Sequence, residues 1–214
     1  FCILPFETEF FRKLNYSVDY VGNPSVDSVA YYKEHQAIPK DTFIKEEGLA
    51  NKPILALLSG SRKQEIKDNL PTMLKVASAY PDYQPVIAGA PGIDPAYYQE
   101  YIGSYPAKIV FGKTYPLLQH SAAALVTSGT ATLETALFRV PQVVCYYVVA
   151  GQLASFIFKH FFHTKYISLV NLIGGREIVQ ELFGARFSES QIQDELGRIL
   201  QDPAYRKRML DGYD

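Results

Sequence analysis

The chain holds little that would commit it to redox, metal or membrane-spanning chemistry. Two cysteines occur in 214 residues. Cys2 and Cys145 lie far apart and in no metal-binding or redox spacing, so a reduced, cytoplasmic setting is the default. The four histidines, His35, His120, His160 and His163, form no ligand spacing with cysteine or carboxylate. HExxH is missing as well, which disfavours a metal site. No apolar run reaches the ~20 residues needed to span a bilayer. A formal net charge of −1 argues against a dedicated nucleic-acid binder, which would show a basic face. GxxxxGK[ST] and GxGxxG are both absent. So is G-x-S-x-G, and neither Ser61 nor Ser128 reads as a hydrolase nucleophile. No basic segment precedes the first apolar stretch, FCILPFETEFF, which therefore does not read as a signal peptide. It reads as an internal strand entered abruptly, without an initiator methionine. The expectation is a fragment whose N-terminal part lies upstream.

What is present is ordinary globular material, 48% hydrophobic and 20% charged, enough for a core without staples. Continuous apolar runs predict parallel strands at FCIL, VDYVG, PILALL, QPVIAG, AKIVFG, AAALV and PQVVCYYV. Helical spacing between them is clearest in SRKQEIKDNLPTMLKVASAY, where Pro71 could introduce a bend, in GTATLETALFR and in SESQIQDELGRILQD. Strand–helix alternation at this rhythm predicts an α/β fold with a mostly parallel sheet. The polar stretch from Tyr31 to Lys52 breaks the rhythm and reads as a connection. It places a domain boundary near residue 50, with a short βαβ-like piece before it and a doubly wound domain over residues 51–214.

Four stretches could carry chemistry. In LLSGSRKQEI, a strand runs into Ser59-Gly60-Ser61-Arg62 and then a helix. Glycine permits close backbone approach, the helix start offers free N–H groups, and Arg62 could meet a phosphate. The plainer account is a capping box, Ser61 with an acid some residues on, and Arg62 as a surface charge. In TSGTATLETAL, the turn at Ser128, Gly129 and Thr130 again joins a strand to a helix. Ligands in open parallel sheets bind beyond strand carboxyl ends, at a switch point, and both turns lie at such ends. Glu134, one turn into the helix, could accept two ribose hydroxyl protons or pair with Arg139 as an exposed acid. In YISLVNLIGGREIVQELF, Asn171, Arg176 and Glu177 lie in a glycine-rich loop, with GGRE opening a helix. In GQLASFIFKHFFHTKY, a wide apolar arc with Lys159, His160 and His163 on the remainder reads as a membrane-surface helix or as one packed on a missing domain or second subunit.

Taken in order, LPFE, YVGNP, LLSGSRKQEI, SGTATLETAL and YISLVNLIGGREIVQELF resemble the lipid-A-disaccharide synthase family over nearly the whole chain. The resemblance implies one half of a glycosyltransferase B fold: a Rossmann-like donor domain over 51–214, cut short at its C-terminus, with residues 1–50 the end of the acceptor domain and linker. It implies inverting transfer of 2,3-diacylglucosamine from its UDP conjugate to 2,3-diacylglucosamine 1-phosphate (lipid X). That reaction belongs to lipid A biosynthesis at the cytoplasmic face of the Gram-negative inner membrane, with no metal, no cofactor and no nucleic acid. It allows a homodimer. Ser61, Arg62, Ser128, Gly129 and Thr130 match diphosphate-binding turns. Glu134 matches a ribose-binding acid, and Asn171, Arg176 and Glu177 match a loop bordering the donor or acceptor. The catalytic base is expected upstream. Asn23 stands in YVGNP where the family commonly has histidine, which leaves that turn a positioning role. A non-hydrolysing UDP-sugar epimerase and a non-catalytic nucleotide-binding or interaction module are the alternatives.

Overall fold

A computed structural model describes residues 1–127, 129–147 and 166–214. Among these, six parallel strands form one sheet: β1 (Ile54–Leu58), β2 (Gln84–Gly89), β3 (Lys108–Phe111), β4 (Ser121–Val126), β5 (Gln142–Tyr146) and β6 (Glu181–Phe183). Their order is β3-β2-β1-β4-β5-β6, the doubly wound Rossmann order, which confirms the α/β, Rossmann-like expectation. The chain leaves β1 toward β2 and β3, then returns to add β4 on the other side. The switch point therefore falls between β1 and β4, where Leu58 pairs with Val126.

All five residues of β1 are buried, as a central strand covered on both faces requires. Leu55 and Leu57 pack with Ile66, Leu70 and Met73 of α4 (Lys63–Ser78) and with Ile192, Leu196 and Ile199 of α9 (Glu189–Gln201). Ile54, Ala56 and Leu58 face the opposite layer, which contains Leu117 and Leu118 of α6 (Thr114–His120) and Val140. Helix α4 continues through Pro71, and Ser188 caps α9 by accepting from the Gln191 amide. Between them, α5 (Pro95–Ile102) follows β2 and α7 (Thr130–Leu137) follows β4. Helix α10 (Pro203–Asp211) ends beside β5, where Met209 Sδ accepts from the Gln142 amide at 3.4 Å. No helix among the described residues is long and apolar enough to cross a membrane.

Three expectations fail, each for a local reason. FCIL and VDYVG form only one parallel bridge, Cys2–Tyr20. The Glu7 carboxylate takes the Ile3 and Leu4 amides at 3.1 and 2.8 Å, which turns the first run into α1 (Glu7–Lys13). The polar stretch from Tyr31 to Lys52 is more than a connection. It completes α2 (Pro24–His35) and contains α3 (Lys40–Glu46), whose Phe43 is fully buried beneath the sheet. GGRE does not open a helix. It closes α8 (Leu169–Gly174) at Gly175, which sits at φ +63°, a left-handed conformation glycine adopts without strain. The chain then runs into β6. Of the apolar GQLASFIFKHFFHTKY stretch, residues 151–165, with Lys159, His160 and His163, lie outside the described residues.

Because Phe43 anchors the segment before residue 50 to the sheet, Phe43→Ala should lower the unfolding free energy by about 3–5 kcal/mol, the range for emptying a buried phenylalanine site. Urea denaturation measures this. A loss well under 1 kcal/mol would show that α3 is not part of the folded core.

Candidate functional site

The two turns singled out in the sequence leave adjacent strands side by side. The Thr127 amide donates to the Leu58 carbonyl at 2.9 Å, and its hydroxyl to the same oxygen at 3.1 Å. These bonds extend the β1–β4 pairing one residue beyond the ladder and hold the start of each turn together. From that point Ser59-Gly60-Ser61-Arg62 leads into α4 and Gly129-Thr130 into α7. The leading amides of both helices precede the first intrahelical bonds, Ile66 to Arg62 and Thr132 to Gly129, and both helix dipoles present a positive end here. Ser61, Arg62, Gly129 and Thr130 are all exposed. Ser128 lies outside the described residues. The buried Ser59 hydroxyl at the end of β1 has no hydrogen-bond partner among the described residues.

The α4 turn already holds an anion, and it is the protein's own. Glu65 Oε2 accepts from the Ser61 amide at 2.8 Å and the Arg62 amide at 3.3 Å, while Oε1 accepts from the Arg62 guanidinium at 2.9 Å. The capping acid is thus Glu65, and the residue at the cap position is Arg62 rather than Ser61. Gly60 makes this possible. It sits at φ +109°, and a Cβ there would lie 2.5 Å from both Glu65 Cβ and Oε2. Arg62 itself remains 80% exposed despite the ion pair, so its fork is available to an incoming group. Two further ties fix this corner. Buried Asn69 donates to the Glu65 carbonyl at 2.7 Å and accepts from the Tyr147 amide at 2.8 Å, locking α4 to the end of β5. Burial and the Glu65 charge raise the affinity of Tyr146 for its proton, which places that ring within the field of the same carboxylate.

Glu134 is partly buried and does not pair with Arg139, which binds Asp214 instead. Arg139 sits past the end of α7 at φ +58°. Glu134 Oε1 accepts from the Tyr115 hydroxyl at 2.9 Å. Burial first, then the hydrogen bond to Glu134 and its charge, push Tyr115 up to about 12. Tyr115 in turn packs against Tyr32 and Phe138, so α2 helps orient the acid.

The third group of residues is elsewhere. Asn171 is fully buried and braces its own loop: its amide nitrogen donates to Val179 and Glu181, and its oxygen accepts from the Ile178 and Val179 amides. The Glu181 carboxylate, also buried, accepts from the Ile167 and Ser168 amides, the Ser168 hydroxyl and Asn171. Arg176 and Glu177 are exposed on a loop that enters β6 from its amino end. The two turns leave β1 and β4 at their carboxyl ends, so the structure separates these two residues from the turns. Asn23 caps α2, accepting from the Ser25 amide at 2.9 Å, and so positions a helix. Sequence reading left Glu65 as the unnamed acid of a capping box and passed over Tyr115. An acid at the third helical position of a capped turn signals the first, and nothing local signals the second.

A family model described as lipid-A-disaccharide synthetase matches residues 1–211. Similar curated proteins include the lipid-A-disaccharide synthases of Solibacter usitatus, 33% identical over 216 residues, and Myxococcus xanthus, 34% identical over 223 residues. Each alignment covers 99% of this chain and 55% of the relative, so the chain spans about half the length of these proteins. Among solved structures, the Neisseria meningitidis UDP-GlcNAc 2-epimerase bound to UDP-GlcNAc is similar at TM-score 0.65 and 15% identity, covering 98% of this chain and 55% of that one. A glycosyltransferase involved in lipopolysaccharide biosynthesis is similar at TM-score 0.51 and 15% identity, covering 85% of this chain and 47% of that one. At these identities the two structures speak to the fold.

A tyrosine whose folded pKa is raised favours the fold at pH values below its unfolded titration, and that contribution fades as pH rises from ~10 toward the folded value. Tyr115 titrates at about 12 in the fold. Tyr115→Phe should therefore lose less melting temperature than the parent between pH ~10 and ~12. Identical pH profiles for the two proteins would remove the Tyr115–Glu134 bond from the account.

Proposed function

This chain belongs to the lipid-A-disaccharide synthetase family, and from that membership and the paired turns we propose that it supplies the UDP-sugar donor site of an inverting glycosyltransferase. The single observation that carries the site assignment is the juxtaposition of the Ser61–Arg62 and Gly129–Thr130 turns through the Thr127–Leu58 bonds. Two helix starts and an exposed guanidinium then converge where a diphosphate would sit. The donor is UDP-2,3-diacylglucosamine and the acceptor 2,3-diacylglucosamine 1-phosphate (lipid X), which together give lipid A disaccharide 1-phosphate and UDP.

In such a transfer C1 of the sugar gains oxocarbenium character as UDP departs with its negative charge. Helix N-termini and a cation can meet that charge without a metal ion. In this reading the diphosphate displaces the Glu65 carboxylate from the Ser61 and Arg62 amides. Arg62 then exchanges one anion for another. Ser128 belongs to the same clamp. Glu134 accepts from the ribose hydroxyls, with Tyr115 holding one of its oxygens so that the other is presented. Asn171 supports the loop before β6 rather than touching the donor.

The acceptor hydroxyl needs a base. We place it on a facing domain in the roughly 45% of the relatives' length that this chain does not span, with residues 1–50 as the end of that domain and the linker that packs on this sheet. The enzyme would work peripherally at the cytoplasmic face of the inner membrane, where its acylated substrates reside. The epimerase alternative shares the fold but lacks the support of family membership.

Calorimetry tests the site. UDP should bind this chain, and Arg62→Ala should weaken binding by ~1.5–3 kcal/mol, the range for a hydrogen bond to a charged group. Glu134→Ala should weaken UDP more than inorganic pyrophosphate, which has no ribose. Unchanged UDP affinity in Arg62→Ala would overturn its role. Equal losses for the two ligands in Glu134→Ala would overturn ribose recognition.

A further inference from the structure

A cavity of about 270 Å³ lies at the end of the sheet opposite the two turns. Its location follows from the topology. The Gln180 carbonyl accepts from the Val144 amide at 3.1 Å, so the loop before β6 runs along the amino half of β5. Met209 and Gly212 at the end of α10 close the cavity from below. Its charged lining is Arg176, Arg198, Arg208 and one acid, Glu177. The Glu177 carboxylate accepts from the Gln180 side chain at 2.8 Å, within the same loop.

The arginines are pre-arranged. Tyr205 is anchored through its hydroxyl to the buried Glu195 carboxylate. Arg198 donates to the other Glu195 oxygen at 3.1 Å and lies over the Tyr205 ring, 4.1 Å from its centre. Arg208 approaches the same ring at 5.5 Å. Two guanidiniums thus share one aromatic surface, with a third on the facing loop. Glu195 and the Asp202 cap of α10 temper this charge from behind. Asp202 is engaged by the Ala204 and Tyr205 amides. The cationic forks, with five N–H donors each, exceed the acceptors that the cavity itself provides.

We propose that this cavity is an anion site for a phosphate group, separate from the donor-diphosphate turns. The planar guanidinium matches two phosphate oxygens at once, and stacking on Tyr205 fixes its orientation before the ligand arrives. The phosphate could be carried by a free soluble anion or by a lipid headgroup at a membrane surface, and the chemistry recognised is the same.

The test compares this chain with an Arg176→Gln/Arg208→Gln double variant, which leaves the Arg198–Glu195 pair intact. The probes are inorganic phosphate, read by calorimetry, and phosphatidylcholine vesicles with and without phosphatidylglycerol, read by co-sedimentation. UDP serves as the reference ligand for the other end of the sheet. The double variant should bind phosphate or the anionic vesicles about tenfold or more weakly, with UDP affinity and melting temperature unchanged. Loss confined to phosphate identifies a soluble anion, and loss confined to anionic vesicles identifies a headgroup. Either result supports the site. Equal behaviour of the two proteins toward both probes, including no binding by either, overturns it. If the double variant does not fold, Arg208→Gln alone carries the same comparison.

Discussion

One backbone contact organises the end of the sheet where the proposed site lies: the Thr127 amide on the Leu58 carbonyl, where β4 meets β1. Strand order places the switch point there, and the continuous burial of β1 makes the register hard to shift. A slip of one residue would turn Leu55 and Leu57 toward the wrong layer. The two turns are therefore neighbours because the core allows no other arrangement. Without that register, each would be a capped helix start with no partner.

The same geometry explains why an acid sits at the α4 turn. Exposed amides at the end of a helix invite a carboxylate, and Glu65 is within reach because Gly60 has no side chain in the way. A carboxylate held by two amides and a guanidinium shows that the turn accepts negative charge. Its position at the mouth of the switch point, with Arg62 largely exposed, leaves it open to exchange. Asn69 holds this helix start against the end of β5 and Tyr115 holds Glu134 against α6. The two turns are thus braced from both sides of β1 and β4.

Much of this was readable in the sequence. Unbroken apolar runs such as ILALL and AAALV specify central parallel strands, and small residues immediately after each specify turns at their carboxyl ends. What escaped depends on distant partners. Phe43 looks like one apolar residue in a polar stretch until the sheet supplies its pocket. Tyr115 becomes relevant only when α6 and α7 pack together. LVNLIGG and IVQELF read as loop and helix because an edge strand of three residues carries too little alternation to declare itself. The buried Asn171–Glu181 network then shows that a polar residue in a glycine-rich loop can be the loop's own scaffold. Arg176 and Glu177 sit close to Asn171 in sequence, yet the chain direction into β6 carries them to the far end of the sheet.

The central claim is that the two turns act as one binding surface, and amide NMR during a UDP titration examines it most directly. The account predicts that the Ser61 and Arg62 amides and the Gly129 and Thr130 amides shift along a single saturation curve. Shifts confined to one turn, or two curves with different midpoints, would contradict it.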